Sequence, residues 1–328
     1  MAMERRTIQE VGGGTVTVSL PHEWAAEHDI EAGRDVCLWP HRDGSIVVRP
    51  DPSETTPLAT ATLDLAGVDP AAVPGLLRAA YVAGYDEIHL EHEPGWEPGL
   101  RRQIRETVRS LVGVDLISET EGTIVVADLL DPAAVSVEQS IRQLRHTITA
   151  MQEGVLAILE GRTETAAPVT ERVAECERTV RHLDRRFNRS LRDLDEMDAL
   201  GVDRYRLAGF VQLARQLGQV ASHLATVART ATGLDPAGNA VETVRPQVET
   251  IGHLLADSST AALNGPSVSN VEAVFGNVER SREALQAAIA DLDGPARTRV
   301  DPLRSALERV LDAVAEIAGV ALQLGLDD

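Results

Sequence analysis

The sequence contains no lysine, few aromatic residues and only two cysteines. All 31 basic residues are arginines, and 51 Asp and Glu residues oppose them, so the formal net charge is −20. The absence of lysine excludes a nucleotide-binding loop of the Walker type, because the lysine of that loop must reach the phosphates. The negative charge favours solubility and disfavours non-specific attraction to nucleic-acid backbones.

Aromatic residues make up 3% of the 328 residues, so Leu, Val, Ile and Ala must form the core. This composition is typical of helix bundles rather than of aromatic-rich β-sandwiches. Cys37 and Cys176 match no metal-binding or redox spacing, and Cys176 is expected to be a core residue. The chain has no run of 18 apolar residues and no apolar signal-peptide core at its start, which predicts a cytoplasmic protein without membrane insertion.

Residues 4–50 have the pattern of a small β-rich module followed by a linker. The predicted elements are a strand at 15–20, a helix at 21–27, and strands at 36–39 and 45–49. The last two strands are separated by Asp43-Gly44, a dipeptide that favours a hairpin turn. Residues 50–57 contain three prolines and no periodic apolar residues, which predicts a linker.

Residues 58–130 alternate between strand-like and helix-like segments. The predicted strands lie at 59–65, 87–91, 114–117 and 123–126, and the predicted helices at 70–84 and 96–112. This order predicts a small βαβαββ unit, which is too short to form a full nucleotide-binding sheet.

In residues 136–328 the apolar residues recur at alternating spacings of three and four, the pattern of amphipathic helices that pack in a bundle. The six apolar stripes run over 137–158, 169–187, 210–227, 241–255, 271–292 and 303–324. They form two sets of three, which indicates an internal duplication. The chain as a whole is therefore predicted to be a multi-domain α+β protein with a C-terminal six-helix antiparallel bundle made of two three-helix repeats.

The N-terminal module has a strand that ends in Leu20-Pro21, a helix that contains Trp24, and a Gly33-x-x-Val36 segment. In this order of features residues 4–50 resemble the AbrB/SpoVT/MazE-type swapped-hairpin family. The resemblance implies a homodimer with interleaved hairpins that often binds DNA, with Arg5 and Arg6 at the positions of the family's basic contacts. The module has five Arg against eight acidic residues, so binding of promoter DNA and dimerisation alone both remain open.

The last helical stripe contains Glu308-Arg309-x-x-Asp312, and with this motif the six-helix region resembles the PhoU family of phosphate uptake regulators. The middle unit resembles an insert of the halophilic-archaeal members, whose acidic character the composition shares. The resemblance implies a regulator of phosphate uptake that acts as an adaptor on a transporter or sensor subunit and is not an enzyme. The alternative is a DNA-binding transcriptional regulator with a metal- or phosphate-sensing helical domain.

The PhoU resemblance also implies a divalent or iron-type metal site in the second helical repeat. Its expected ligands are Glu308 with Asp312, and Glu279 with Glu283; each pair is four residues apart and therefore shares one helix face. The corresponding residues of the first repeat are Gly218 with Ser222, and Glu177 with Arg181. The first repeat is therefore not expected to bind a metal. A solvated acidic stripe in which Arg304 pairs with Glu308 is the other interpretation of the second repeat.

Overall fold

The computed structural model describes residues 4–40, 44–50, 60–93, 95–130, 136–264 and 268–326. The chain forms two compact units, Met1–Pro57 and Leu58–Asp328. Apart from residue 50, the predicted linker lies outside the described residues, as does residue 43 of the predicted hairpin turn.

The N-terminal unit contains two separate antiparallel hairpins and one short helix. Its elements are β1 (Gln9–Val11), β2 (Thr15–Thr17), α1 (His22–Glu27), β3 (Val36–Pro40) and β4 (Ile46–Pro50). β1 pairs with β2, and β3 pairs with β4. The sequence analysis missed β1, which reaches its partner through Gly12, Gly13 and Gly14, all at positive φ. None of the described side chains of this unit is buried.

The second unit begins with a four-stranded sheet and two helices. These elements are β5 (Thr60–Asp64), α2 (Val73–Ala83), β6 (Glu87–Glu91), α3 (Pro98–Arg109), β7 (Val114–Glu119) and β8 (Thr123–Asp128). The strand order is β5-β6-β8-β7, with β5 and β6 parallel and the other neighbours antiparallel. The predicted βαβαββ order is confirmed, and α2, α3, β6 and β8 share one apolar core.

Long helices make up the remainder of the second unit. In the described residues 136–264 and 268–326 the helices are α4 (Val137–Leu159), α5 (Ala166–Ser190), α6 (Leu194–Leu200), α7 (Arg204–Ala231), α8 (Asn239–Asn264), α9 (Val268–Ala290) and α10 (Gly294–Gly325). The sequence analysis missed α6, because a helix of seven residues is too short to repeat an apolar stripe. In the described part of the chain, no helix combines the length and apolarity that a bilayer crossing requires.

The predicted apolar stripes of α4, α7, α8 and α10 are buried throughout. In α9 the prediction was wrong at one position, since Phe275 is 42% exposed while Val271 and Val278 are buried. Phe275 is four residues after Val271 and three before Val278, so it lies at the border of a stripe that is narrower than the sequence analysis assumed.

The long helices pack as two trios. In the first trio α4, α5 and α7 contact one another, and in the second trio α8, α9 and α10 do the same. The trios meet through their first helices, α4 and α8, and through their third helices, α7 and α10. Helices of equivalent order therefore face each other across the join, as expected of a duplicated unit.

Two glycines allow the close approach of the trios. A Cβ atom on Gly209 of α7 would lie 2.7 Å from Leu324 Cδ2 of α10. A Cβ atom on Gly252 of α8 would lie 1.1 Å from Gln152 Nε2 of α4. Both contacts between trios thus have a glycine where a larger residue would overlap its neighbour.

Candidate functional site

Three arginines near the C-terminal end of α5 are buried, which is rare for a charged side chain unless it is paired. Arg185, Arg186 and Arg189 are 0%, 1% and 8% exposed. Their guanidinium groups lie between the helical trio and the α/β part of the same unit, and their ion-pair partners are the carboxylates of Asp86, Asp128 and Glu196. We call these six residues the arginine cluster.

Arg185 is the central contact of the cluster. Its guanidinium donates to Asp128 Oδ2 at 2.7 Å, to the carbonyl oxygen of Tyr81 at 2.7 Å and to that of Tyr85 at 2.8 Å. It also lies over the Tyr81 ring, 4.9 Å from the ring centroid. One side chain of α5 thus holds the end of β8 and the C-terminal turn of α2.

Arg186 and Arg189 add further contacts between α5 and its neighbours. Arg189 donates to the carbonyl oxygen of Gly84 at 2.7 Å and to the carboxylate of Asp86. Arg186 and Arg189 share the carboxylate of Glu196, a residue of α6, at 2.9 Å each. The last carbonyls of a helix have no partner within the helix and carry its partial negative charge. The arginines therefore complete the end of α2 as well as pairing the carboxylates.

Burial and charge change the titration of the groups around the cluster. Burial, together with the charges of Arg186 and Arg185, lowers the pKa of His182 to about 4 against the opposing charge of Asp128. Burial raises the pKa of Tyr81 to about 12. Burial opposes ionisation of Asp128, but its charge interaction and hydrogen bond with Arg185 bring its pKa below the ordinary value. Near neutral pH Asp128 is therefore ionised, and His182 beside the cluster is neutral.

The sequence analysis missed the arginine cluster. The segment Arg185-Arg186-Phe187-Asn188-Arg189 is charge-dense and lies at the end of an apolar stripe, where exposed residues are the ordinary expectation. Its partners come from β8, from α6 and from the segment between α2 and β6, and no spacing in the sequence relates these segments to one another. The chemistry of the cluster is structural: it joins the α/β part to the first trio.

The residues predicted to contact DNA lie before β1. Arg5 and Arg6 are both exposed, and the guanidinium of Arg6 pairs with the carboxylate of Glu4 two residues away. Part of the positive charge expected at this site is thus offset within the same segment. DNA binding by Arg5 and Arg6 stays a prediction.

The residues predicted to bind metal are on neighbouring helices of the second trio, but arginines pair with three of them. Asp312 of α10 accepts from Arg282 Nη2 at 2.9 Å, and Arg282 Nε lies 3.8 Å from Glu279 Oε1. Glu308 accepts from Arg304 at 2.6 Å. Glu283 is exposed one turn beyond Glu279 on α9. These carboxylates therefore do not form a coordination shell in this arrangement.

Within the described residues, no three His, Cys, Asp or Glu side chains form a group that could hold a metal ion. A metal in the second trio stays a prediction from the sequence. The expectation that Cys176 is a core residue is confirmed, since it is 1% exposed and burial raises the pKa of its thiol to about 12.

A cavity of about 500 Å³ lies between α8, α9 and α10 of the second trio. Ala318 and Ala321 of α10 line one side of it, and Asp257, Asn264 and Asn277 contribute polar groups. Among the described residues that line the cavity none is basic. Arg145 of α4 donates to Thr260, one of the lining residues, at 2.9 Å, so a cation lies at the border of the cavity.

Comparison with known proteins gave one structural similarity to report. No protein-family profile matches the chain, and no curated protein matches its sequence. Among solved structures, the chain is similar to the crystal structure of the phosphate transport system regulatory protein PhoU from Streptococcus pneumoniae. The match has 18% sequence identity and a TM-score of 0.47, and it covers 58% of this chain and 94% of that chain.

Proposed function

We propose that this chain is a non-enzymatic regulator of phosphate uptake, acting as a dimeric adaptor that docks its helices on a phosphate transporter or sensor subunit. The observation that supports it most directly is the packing of α4, α5 and α7 and of α8, α9 and α10 as two trios joined through equivalent helices. This arrangement agrees with the duplicated helical region that the sequence resemblance implies. The Glu308-Arg309-x-x-Asp312 motif of α10 supports the same assignment.

A role as an adaptor also agrees with the structural contacts that the buried charged groups make. The buried arginines bind carboxylates and the carbonyl groups that end α2, and His182 lies 3.4 Å from the hydroxyl of Tyr81. These contacts fix one part of the second unit against another. Such a rigid joined body suits docking on a partner protein.

Dimerisation through the N-terminal module is supported by its exposed apolar side chains. Six large apolar residues of this unit are more than half exposed: Ile8, Val11, Val16, Val18, Leu38 and Ile46. A unit of this size with no buried side chain among those described lacks the apolar burial that offsets chain entropy. A second copy of the module would cover these side chains, which is the arrangement that the swapped-hairpin resemblance implies.

The first test combines light scattering with retention on immobilised phosphate-transporter and sensor subunits. We expect the wild-type chain to have the mass of a dimer and to be retained by one of these subunits. Val16→Asp should shift the mass toward the monomer, because it places a charge on an apolar surface that dimerisation would bury. Thr17→Asp tests the opposite face of the strand, where Val11 is the exposed apolar residue, and should have the smaller effect on the mass.

The same preparation separates the adaptor from a DNA-binding regulator. A gel shift with promoter DNA of phosphate-transport genes, lost in the double variant Arg5→Ala/Arg6→Ala while the dimer persists, would favour the transcriptional regulator. Retention by a transporter or sensor subunit that is unchanged in the double variant would favour the adaptor. A monomeric wild-type chain that binds neither target would contradict the proposal.

A further inference from the structure

The two trios can be compared position by position on their second and third helices. The residue three positions after Glu177 of α5 is Val180, and the residue three positions after Glu279 of α9 is Arg282. Val180 packs against Gly218 of α7 and Arg282 pairs with Asp312 of α10, so each lies on the face of the second helix that meets the third helix of its trio.

In the first trio an apolar contact closes this face. A Cβ atom on Gly218 would lie 2.9 Å from Val180 Cγ2, so the valine side chain packs directly against the backbone of α7. One turn earlier on α5, Glu177 pairs with Arg181 at 3.1 Å. The first trio therefore has no space for a cation between Val180 and Gly218.

In the second trio a guanidinium group lies on the corresponding face. Arg282 of α9 donates to Asp312 of α10 at 2.9 Å and also pairs with Glu279. Two of the four carboxylates expected to bind metal thus pair with one arginine.

We infer that Arg282 is a built-in cation between α9 and α10 that occupies Asp312 and Glu279, so that these residues do not fit the metal ion expected from the sequence. A divalent ion would have to displace the guanidinium from Asp312 before it could bind two carboxylates. The guanidinium is a covalent part of the chain, so a chelator cannot remove this cation. The inference does not rest on the proposed role in phosphate uptake.

The test uses Arg282→Gln, which removes the charge and keeps much of the side-chain length. Isothermal titration with MnCl2 and thermal unfolding in EDTA or MnCl2 are measured for the full chain. We expect the wild-type melting temperature to be the same in EDTA and in Mn²⁺. In Arg282→Gln, Mn²⁺ should raise the melting temperature and bind at least about tenfold more tightly than in wild type.

Two further variants make the result specific. Arg280→Gln removes an arginine from the same helix and should leave the response to Mn²⁺ at the wild-type level. Adding Asp312→Asn to Arg282→Gln should abolish the gain, because one of the newly available carboxylates is lost. If wild type itself binds Mn²⁺ in a manner that depends on Asp312, the metal site expected from the sequence exists and the inference is wrong. If Arg282→Gln does not respond to Mn²⁺, the carboxylates are a solvated surface, and the inference is also wrong.

Discussion

Each trio has an arginine on its second helix that pairs with a carboxylate of another element, but the two pairs lie in different surroundings. The Arg185 and Asp128 side chains are 1% and 8% exposed, whereas those of Arg282 and Asp312 are 34% and 62% exposed. When one partner of a buried ion pair is removed, the other charge stays buried without a partner, at a large cost in free energy. When one partner of an exposed pair is removed, water solvates the charge that remains. The same interaction therefore has a structural role in the first trio and a weak one in the second.

The difference arises from what packs on each helix. The α/β part of the second unit packs on α5 through α2, and α6 supplies Glu196 from the other side. In the described residues, α9 contacts mainly α8 and α10. The arginine cluster is buried because other elements pack on this end of α5, whereas no such layer packs on α9 in the described residues.

The largest expected effect is that of Arg185→Ala. This change leaves the carboxylate of Asp128 and the carbonyl groups of Tyr81 and Tyr85 buried without their donor. We expect the free energy of unfolding, measured by urea denaturation, to fall by ~3–5 kcal/mol. Arg178→Ala, at an exposed position of the same helix, should change it by less than ~0.5 kcal/mol.

A double-mutant cycle with Asp128→Asn sharpens this prediction. The two losses should be far from additive, because either change alone disrupts the same pair. A loss below ~1 kcal/mol for Arg185→Ala would mean that water reaches the cluster and that the contrast between the trios is not one of burial.

The next effect concerns pH. His182 has a folded pKa of about 4, below its ordinary value of 6.5. As the pH falls from 6.5 toward 4, the unfolded chain binds a proton at His182 that the folded chain does not. The free energy of unfolding therefore falls in this window, and the contribution of His182 is fully present above it. The loss should reach ~3 kcal/mol at pH 4.

Urea denaturation at several pH values measures the slope of the free energy of unfolding against pH, and His182→Asn should flatten this slope. His253→Asn, at an exposed position of α8, is the matched control and should keep the wild-type slope. Asp128 has a lowered pKa and adds a loss of the same sign at a pH below that window. An unchanged slope in His182→Asn would show that the histidine is not held neutral by the cluster.

A smaller effect is expected from Gly84→Ala. Gly84 ends α2 at φ 99°, and its Cβ atom would lie 2.7 Å from Arg189 Cγ. The left-handed backbone and the overlap together should cost ~2 kcal/mol in the free energy of unfolding. Gly75→Ala in α2, where nothing lies within 4 Å of the new atom, should be neutral or stabilising. Equal effects of the two changes would contradict the close contact of Arg189 with the end of α2.

The smallest expected effect is that of an exposed ion pair in the first trio. It tests whether burial, rather than position in the first trio, decides how much an ion pair contributes to the free energy of unfolding. Arg215 of α7 pairs with Asp184 of α5 at 2.8 Å, and its side chain is 55% exposed. We expect Arg215→Ala to lower the free energy of unfolding by less than ~1 kcal/mol, although it removes an ion pair from the same helix α5. A loss as large as that of Arg185→Ala would overturn the explanation by burial.

Part of this architecture could be predicted from local patterns. The stripe from Val137 to Ile158 predicted α4 nearly to the residue, and the alternating segments of residues 58–130 gave the correct element order. Periodicity succeeds there because one face of each helix must be buried, whichever neighbour covers it. It failed for α6, which is too short to show a period, and for Phe275, which lies at the border of its stripe.

The candidate sites could be predicted only in part from the sequence. The motif of α10 located Glu308 and Asp312 on one helix face, and the pairing of Arg304 with Glu308 was one of the two interpretations of the sequence. No spacing in the sequence could show that Arg282 of α9 would pair with Asp312. The arginine cluster had no signal in the sequence, because Arg185 and Asp128 are 57 residues apart and meet only when α2 packs on α5.

The sequence by itself therefore determined most of the secondary structure and the net negative charge. Only the tertiary structure decided which charges are buried. The apolar period of a helix depends on its own residues, whereas the energy of a charge depends on how far other segments exclude water from it. For this reason Arg185 and Arg282, alike as residues in the printed sequence, differ in what they do.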